Sequence, residues 1–257
     1  MDILKSFDAR IKNYYLNHFE KTEYGKELAK LRGIHEGKRC FVIGNGPSLT
    51  AKDLECLKNE YTFAFNRIYY IFDQTEWRPT FYCTQDEKIV RNSLRDICNQ
   101  ISTEYIFAPI NLKWYFELEL ETKFYFSQKQ TASEAEIPAF SENIAHEICV
   151  GNTVTYTAIQ IAAYMGFSEI YLLGVDHSFH VSQDTEGNII VDPTVKDYFC
   201  SEYNKDKNEL FIPKPDVSTL SYMAAWQYAK NHNLQIYNST RGGKLEVFPR
   251  KDFDTLF

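Results

Sequence analysis

The chain has 257 residues, enough for one large domain or two small ones, and is 44% apolar and 25% charged, as globular proteins are. A formal net charge of -7 argues against generic nucleic-acid binding, so an anionic ligand must be held by local donors. Six dispersed cysteines (Cys40, Cys56, Cys83, Cys98, Cys149 and Cys200) form no C-x-x-C pair and fit no zinc spacing, so reduced thiols and no metal centre are expected.

The N-terminus leads into charged sequence rather than an apolar run, and no stretch approaches the roughly 18 apolar residues of a spanning helix. A soluble, cytoplasmic protein is expected. The aromatic run Trp114-Tyr115-Phe116 is the candidate for any peripheral contact with the inner face of a membrane, and otherwise for core or acceptor-site wall. Residues 1–37 predict a helical extension, with Ile11, Tyr14, Tyr15, Leu16, Phe19, Leu28 and Leu31 as its apolar stripe and Gly33 and Gly37 at its end. Packing on the main domain and contact with a second copy in a homo-oligomer are both open for it.

The main domain begins at residue 38. Cys40 to Ile43 is a short apolar strand that stops at Gly44-Asn45-Gly46-Pro47-Ser48, before a helix-compatible stretch from Leu49 to Leu57. Strand, glycine turn and helix start suit a phosphate-bearing ligand, because glycines admit close approach and free N–H groups attract negative charge. No Gly-Lys-Ser/Thr follows, which excludes a P-loop, and Leu49 stands where the dinucleotide fingerprint needs its last glycine. A purely steric glycine turn is the competing reading.

Further strands are expected at Thr62–Phe65, ending at Asn66, at Thr80–Cys83, ending near Asp86, and at Glu104–Ala108. Residues 111–145 show no period and are expected to be an inserted lid or acceptor region. A buried helix over Ala158–Met165 follows Gly151-Asn152-Thr153, and Ile170–Leu173 is an apolar strand ended by Gly174-Val175-Asp176. Residues 177–215 form a long polar stretch with Pro193, Pro213 and Pro215, the pattern of a functional lid. A helix from about Ser218 to Asn231, capped by Ser218 or Asp216, precedes a last strand at Leu234–Tyr237. Apolar strands alternating with helices predict an α/β, Rossmann-like, mostly parallel sheet covered on both faces, with the ligand outside the carboxyl ends of the strands.

The polar residues fall at those ends. Asn45 and Ser48 are candidates to bond a phosphate or ribose, and Asn66 to read a base or ribose; turn chemistry and capping are the alternatives. Asn152 and Thr153 offer a second set of donors at a helix start. Asp176 could bind a ribose, a divalent metal or an acceptor hydroxyl, and His177 and His180 beside it are candidate bases. Lys214 and Arg241 could neutralise a phosphate leaving group. Asn238, Thr240 and Gly243 complete the polar edge.

From about Gly37 to Phe248 the chain resembles the 6-hydroxymethylpterin diphosphokinase (MptE-like) group, many of whose bacterial members belong to surface-polysaccharide gene sets. The residues that carry this are Gly37 to Leu49, the Ile170–Asp176 strand and turn, and Asn238, Thr240, Gly242 and Gly243. It is also similar to the small bacterial lipooligosaccharide sialyltransferases, through the Gly44–Leu49 loop, Asn66, and a threonine-initiated helix leading into residues 166–176. That second resemblance implies one Rossmann-like domain with a lid, a CMP-sugar bound through the first loop, Asn66 and the Thr153 region, and inverting transfer by a histidine base without an obligatory metal. The chain departs from it where the base is expected, which is Lys214 to Asp216 here, and after the third strand, where an asparagine is replaced near Cys83 with Asp86 close by; His177, His180 and Asp176 are the substitutes for the base.

Three functions follow as expectations. The first is a glycosyltransferase moving a sialic-acid-like sugar from a CMP- or other nucleotide-activated donor to a glycan or lipid-linked glycan acceptor. The second is an ATP- and Mg-dependent diphosphokinase with Asp86 and Asp176 as metal ligands. The third is a non-catalytic nucleotide-binding protein.

Overall fold

A computed structural model describes residues 2–131, 133–204 and 210–257. Its centre is a seven-stranded parallel sheet. The strands are β1 (Arg39–Ile43), β2 (Tyr61–Phe65), β3 (Phe81–Cys83), β4 (Tyr105–Pro109), β5 (Phe124–Phe126), β8 (Glu169–Leu173) and β11 (Gln235–Asn238). Their order is β11-β8-β1-β2-β3-β4-β5, with Phe41 of β1 opposite Thr62 on one side and Tyr171 on the other. A central parallel strand is covered on both faces, which is why residues 40–43 are all buried and read as a continuous apolar run.

Connecting helices carry their own start signals. Thr22 accepts from the Gly25 amide to open α2 (Glu23–Ala29), after α1 (Asp2–Asn17). Thr50 and Asp53 form a capping box for α3 (Ala51–Cys56), Asp86 caps α4 (Glu87–Gln100), and Thr153 caps α6 (Val154–Tyr164), each satisfying an amide without a helical partner. A short helix, α5 (Ile110–Tyr115), follows β4. The N-terminal extension packs on the sheet edge: α2 lies against β5, and Phe19 and Leu28 are fully buried.

The structure departs from the sequence expectation in three places. The aperiodic region 111–145 contributes an edge strand, β5, too short to show a period, and starts a two-stranded parallel ribbon of β6 (Gln128–Lys129) with β7 (Ile148–Cys149). The polar stretch 177–215 holds a hairpin, β9 (Val181–Gln183) with β10 (Ile189–Val191). The last helix, α7, runs Pro215–Asn231, three residues earlier than expected and without a side-chain cap at Lys214. Proline at the first helical position is already shaped for the helix and has no amide to satisfy, so it replaces the cap at Asp216 or Ser218. No helix among the described residues is long and apolar enough to cross a membrane.

Candidate functional site

The chain runs β1 to β5 in one direction across the sheet and returns to the other side of β1 with β8 and β11. The topological switch point therefore lies between β1 and β8, where open α/β sheets hold their ligands. The two loops that meet there touch through backbone. Gly44 N–H donates to Leu173 O (2.7 Å) and Gly46 N–H to Gly174 O (2.9 Å). A side chain at Gly44 would collide with the Gly174 carbonyl, and one at Gly46 with the Asp176 carboxylate. Above them opens a cleft of about 1060 Å³.

Asp176 organises the first loop. Its buried carboxylate accepts from the Ser48 hydroxyl (2.7 Å) and the Ser48 amide, an anionic partner for the donors predicted for phosphate. Burial raises its pKa, and the Ser48 bonds act the other way. The backbone around it is held from behind: Val175 N–H donates to Thr240 Oγ1 (3.0 Å) and Lys244 N–H to Asp176 O (2.7 Å). A Cβ on Gly243 would come within 2.7 Å of that same carbonyl.

Asn45 sits at the tip. Its Nδ2 donates to Phe65 O (3.2 Å) and Tyr203 Oη (3.1 Å). Since Phe65 O can only accept, the amide orientation is fixed and Oδ1 turns the other way. Oδ1 is buried and has no partner among the described residues. It can take a hydroxyl or amino donor but not a phosphate oxygen. This narrows the sequence reading of Asn45 to a ribose- or base-type contact. At the end of β2, Asn66 (φ 49°) holds Tyr82 Oη on its carbonyl (2.7 Å) and Thr84 Oγ1 on its side chain (3.2 Å).

His177 is the base candidate that lines the cleft. Thr219 Oγ1 donates to Pro215 O (2.9 Å), so its lone pair is what meets His177 Nε2 at 2.8 Å. Nε2 therefore carries the proton and Nδ1 is the nitrogen able to take another. Burial lowers the ring's pKa, with the Asp216 charge and the Pro215 carbonyl pulling upward, so the ring is neutral at physiological pH. His177 has φ 53°, and Asn152 also has φ 53°. With Asn66 they make three of the five left-handed non-glycine residues among the described ones, and all three line the cleft. Such backbone persists where the surroundings over-determine it, as at binding sites.

The other sequence candidates divide. Gly44, Asn45, Gly46, Asn66, Asp86, Asn152, Thr153, Gly174, Asp176, His177 and Lys214 line the cleft. Pro47, Ser48, His180, Asn238, Thr240 and Gly243 do not. Asn238 is spent inside its own loop, with Nδ2 to Leu245 O (2.8 Å) and Oδ1 to Thr240 N (3.0 Å), so with Thr240 and Gly243 it supports the Asp176 turn. His180 bonds Asp192 O through Nδ1 (2.8 Å) within the lid hairpin. Arg241 is paired with Asp53 and Asp254. Lys214 reaches the cleft but is paired with Glu134 (2.7 Å). Asp86 accepts from Ile89 N as a helix cap (3.1 Å), and burial raises its pKa. Of the aromatic run, Phe116 lines the cleft, Trp114 packs on Tyr15, and Tyr115 is exposed beside Lys12. No group of three or more His, Cys, Asp or Glu able to hold a metal occurs among the described residues.

Sequence reading missed the lid's contribution. Tyr203 is 2% exposed, stacks on Tyr198 (3.9 Å between centroids), and bonds Asn45, while Phe199 N–H donates to Asn45 O (3.1 Å). Buried Arg67 donates to Ser93 Oγ (2.9 Å) and Tyr203 O (2.7 Å), tying the lid down. An aromatic pair in a polar stretch was the available signal.

Residues 12–182 match the 6-hydroxymethylpterin diphosphokinase MptE-like family. The chain belongs to that family. No curated protein matches this MptE-like sequence. Among solved structures, the MAf glycosyltransferase of Magnetospirillum magneticum AMB-1 is similar at 14% identity and a TM-score of 0.51, over 91% of this chain and 39% of that one. The sialyltransferase CstII of Campylobacter jejuni, in complex with the substrate analogue cytidine-5'-monophosphate, is similar at 17% identity and a TM-score of 0.47, over 84% and 85%. At these identities the likeness is one of fold, and this MptE-like chain spans well under half of the MAf protein.

Proposed function

We propose that the chain is a glycosyltransferase that moves a sugar from a nucleotide-activated donor, of the CMP-sugar kind, to a hydroxyl of a glycan or lipid-linked glycan. The observation that carries this reading is the buried, unpartnered Asn45 Oδ1 at the switch point, an acceptor waiting for a ribose hydroxyl or base amine. The sequence resemblance to small sialyltransferases and the cleft's many side-chain amides support it further. The chemistry asks little of the protein. An acceptor hydroxyl oxygen bonds to the anomeric carbon as its proton passes to His177 Nδ1. The bond from that carbon to the donor phosphate oxygen breaks, and the nucleotide leaves with the electron pair.

The family description favours a second reading, diphosphate transfer from ATP with Mg²⁺. Asp86 and Asp176 both line the cleft, but one caps a helix and the other holds Ser48, a poor starting point for two metal ligands.

Thermal shift with CMP, CDP, UDP, GDP and ATP, each with and without Mg²⁺, separates the two. Stabilisation by CMP alone is expected; a strict need for ATP with Mg²⁺ would overturn the first reading in favour of the second. In the same assay Asn45→Ala is expected to weaken nucleotide binding by about 1–3 kcal/mol. His177→Ala is expected to lower turnover by about 10²–10⁴-fold with nucleotide affinity unchanged.

A further inference from the structure

One wall of the cleft comes from the insertion between β5 and α6 rather than from strand ends. β6 alternates: Gln128 and Gln130 face the cleft, while Lys129 between them turns away to Glu147 (2.8 Å). The wall is held upright by Val150 N–H to Lys129 O (2.9 Å) and Thr131 Oγ1 to Val150 O (3.0 Å). Beyond it come Asn152 and Thr153, and Thr153 meets Tyr222 (3.4 Å), whose ring lies 5.5 Å from that of His177. The wall is thus continuous with the proposed base.

Its amides are unspent. Other amides near the cleft are committed to structure: Gln160 satisfies Ser141, Cys149 and Tyr156 backbone groups, Gln85 accepts from Thr157, and Gln183 donates to Gly187 O. The side chains of Gln128, Gln130 and Asn152 make no hydrogen bond to any described residue. Each amide offers both donors and an acceptor, the pairing that sugar hydroxyls need. Charge limits the ligand further. The cationic side chains among the described lining residues are Lys88, held over Phe211 (4.3 Å), and Lys214, paired with Glu134. Glu134 and Lys214 offset one another, but Asp86, Asp176 and Asp197 also line the cleft, so a carboxylate-bearing ligand would meet an excess of like charge there.

We propose that Gln128, Gln130 and Asn152, with Glu134 at the rim, form the acceptor subsite, and that it takes an uncharged, polyhydroxylated sugar ring. This rests on the glycosyltransferase reading above and names the substrate class of its acceptor side.

The test uses the full chain and three matched probes, the p-nitrophenyl glycosides of galactose, glucose and galacturonic acid, with binding read by saturation-transfer NMR in the presence of CMP. Binding of the neutral glycosides and none of the uronide is expected. The double variant Gln128→Ala/Gln130→Ala is expected to lose at least tenfold in neutral-glycoside affinity while the CMP thermal shift stays at the wild-type value. The proposal is overturned if the uronide binds as well as the neutral rings, if the variant keeps wild-type glycoside binding, or if the variant loses the CMP shift, since the wall would then read the nucleotide. A wild-type protein that binds glycosides through these glutamines but gives no CMP shift would sink the transferase reading and leave the saccharide subsite standing.

Discussion

The two walls of the cleft are built on different principles. At the switch point, Gly44–Ser48 and Gly174–Asp176 are locked by backbone hydrogen bonds, by glycines with no room for a methyl group, and by a carboxylate that satisfies Ser48. Opposite, Gln128, Gln130, Asn152 and Glu134 stand on a two-residue strand and loops, and an ion pair from Glu134 to Lys214 ties this wall to the lid. A ligand part common to many reactions can be held by the first wall, because little there can vary without loss of the fold. Selectivity can change on the second, because its side chains carry little of the fold.

The sharpest break in this contrast is Gly44→Ala. Its methyl group meets the Gly174 carbonyl, backbone that cannot rotate away, so a loss of about 3 kcal/mol in urea unfolding is expected, together with the nucleotide thermal shift. Gly242→Ala is the control: φ is 70° but no atom lies within 4 Å, so about 1–2 kcal/mol and intact nucleotide binding are expected.

Next comes Asp176→Ala, which leaves the Ser48 hydroxyl and amide without their acceptor. A fall of about 1–3 kcal/mol in stability is expected. If stability stayed at the wild-type value, the carboxylate would not be what holds the loop.

Titration gives a further test, through two histidines and two carboxylates shifted by burial. Burial lowers the pKa of His177, and also of His35, whose ring stacks on Phe167 (4.8 Å) with a buried Nε2 that has no partner among the described residues. For both, the unfolded chain binds the proton more tightly. Their contribution to stability is full above the ordinary value of 6.5 and is lost as pH falls from there toward their lower folded values. Asp86 and Asp176 are shifted up, so their burial costs stability at neutral pH and that cost is relieved as pH falls through their folded values. Across urea midpoints at pH 7.5, 6.5 and 5.5, the difference between His35→Phe and the wild type is expected to shift in the variant's favour as pH falls, because the variant lacks the loss that His35 contributes.

The smallest effect is expected at Glu134→Gln. An exposed pair of this kind contributes less than about 1 kcal/mol, so stability at moderate salt should barely change. A loss comparable to Asp176→Ala would erase the distinction between the walls.

The legibility of the sequence follows the same division. Cys40–Ile43, Thr62–Phe65 and Ile170–Leu173 are apolar runs bounded by glycine or asparagine, and all three lie within parallel strands of the central sheet. The glycine turns mark the switch point because backbone contact allows no other residue there. What the sequence did not reveal depends on packing between distant segments. The strand at Phe124–Phe126 is three residues long, and Tyr203 looks like any lid tyrosine until it lies on Asn45. Thr240 and Gly243, expected at the polar edge, lie outside the cleft lining and support the Asp176 backbone from behind.

The docking of Tyr203 on Asn45 has a kinetic consequence. The side chain that would greet a ligand at the switch point is also an anchor of the lid, and the tyrosine is almost fully enclosed. Whatever enters or leaves past Asn45 must wait for that contact to part. On the transferase reading, exchange rather than bond-making would then pace the cycle: a rapid first turnover followed by a slower steady state, and a steady rate that rises when Tyr203→Phe removes one of the contacts that hold the lid down.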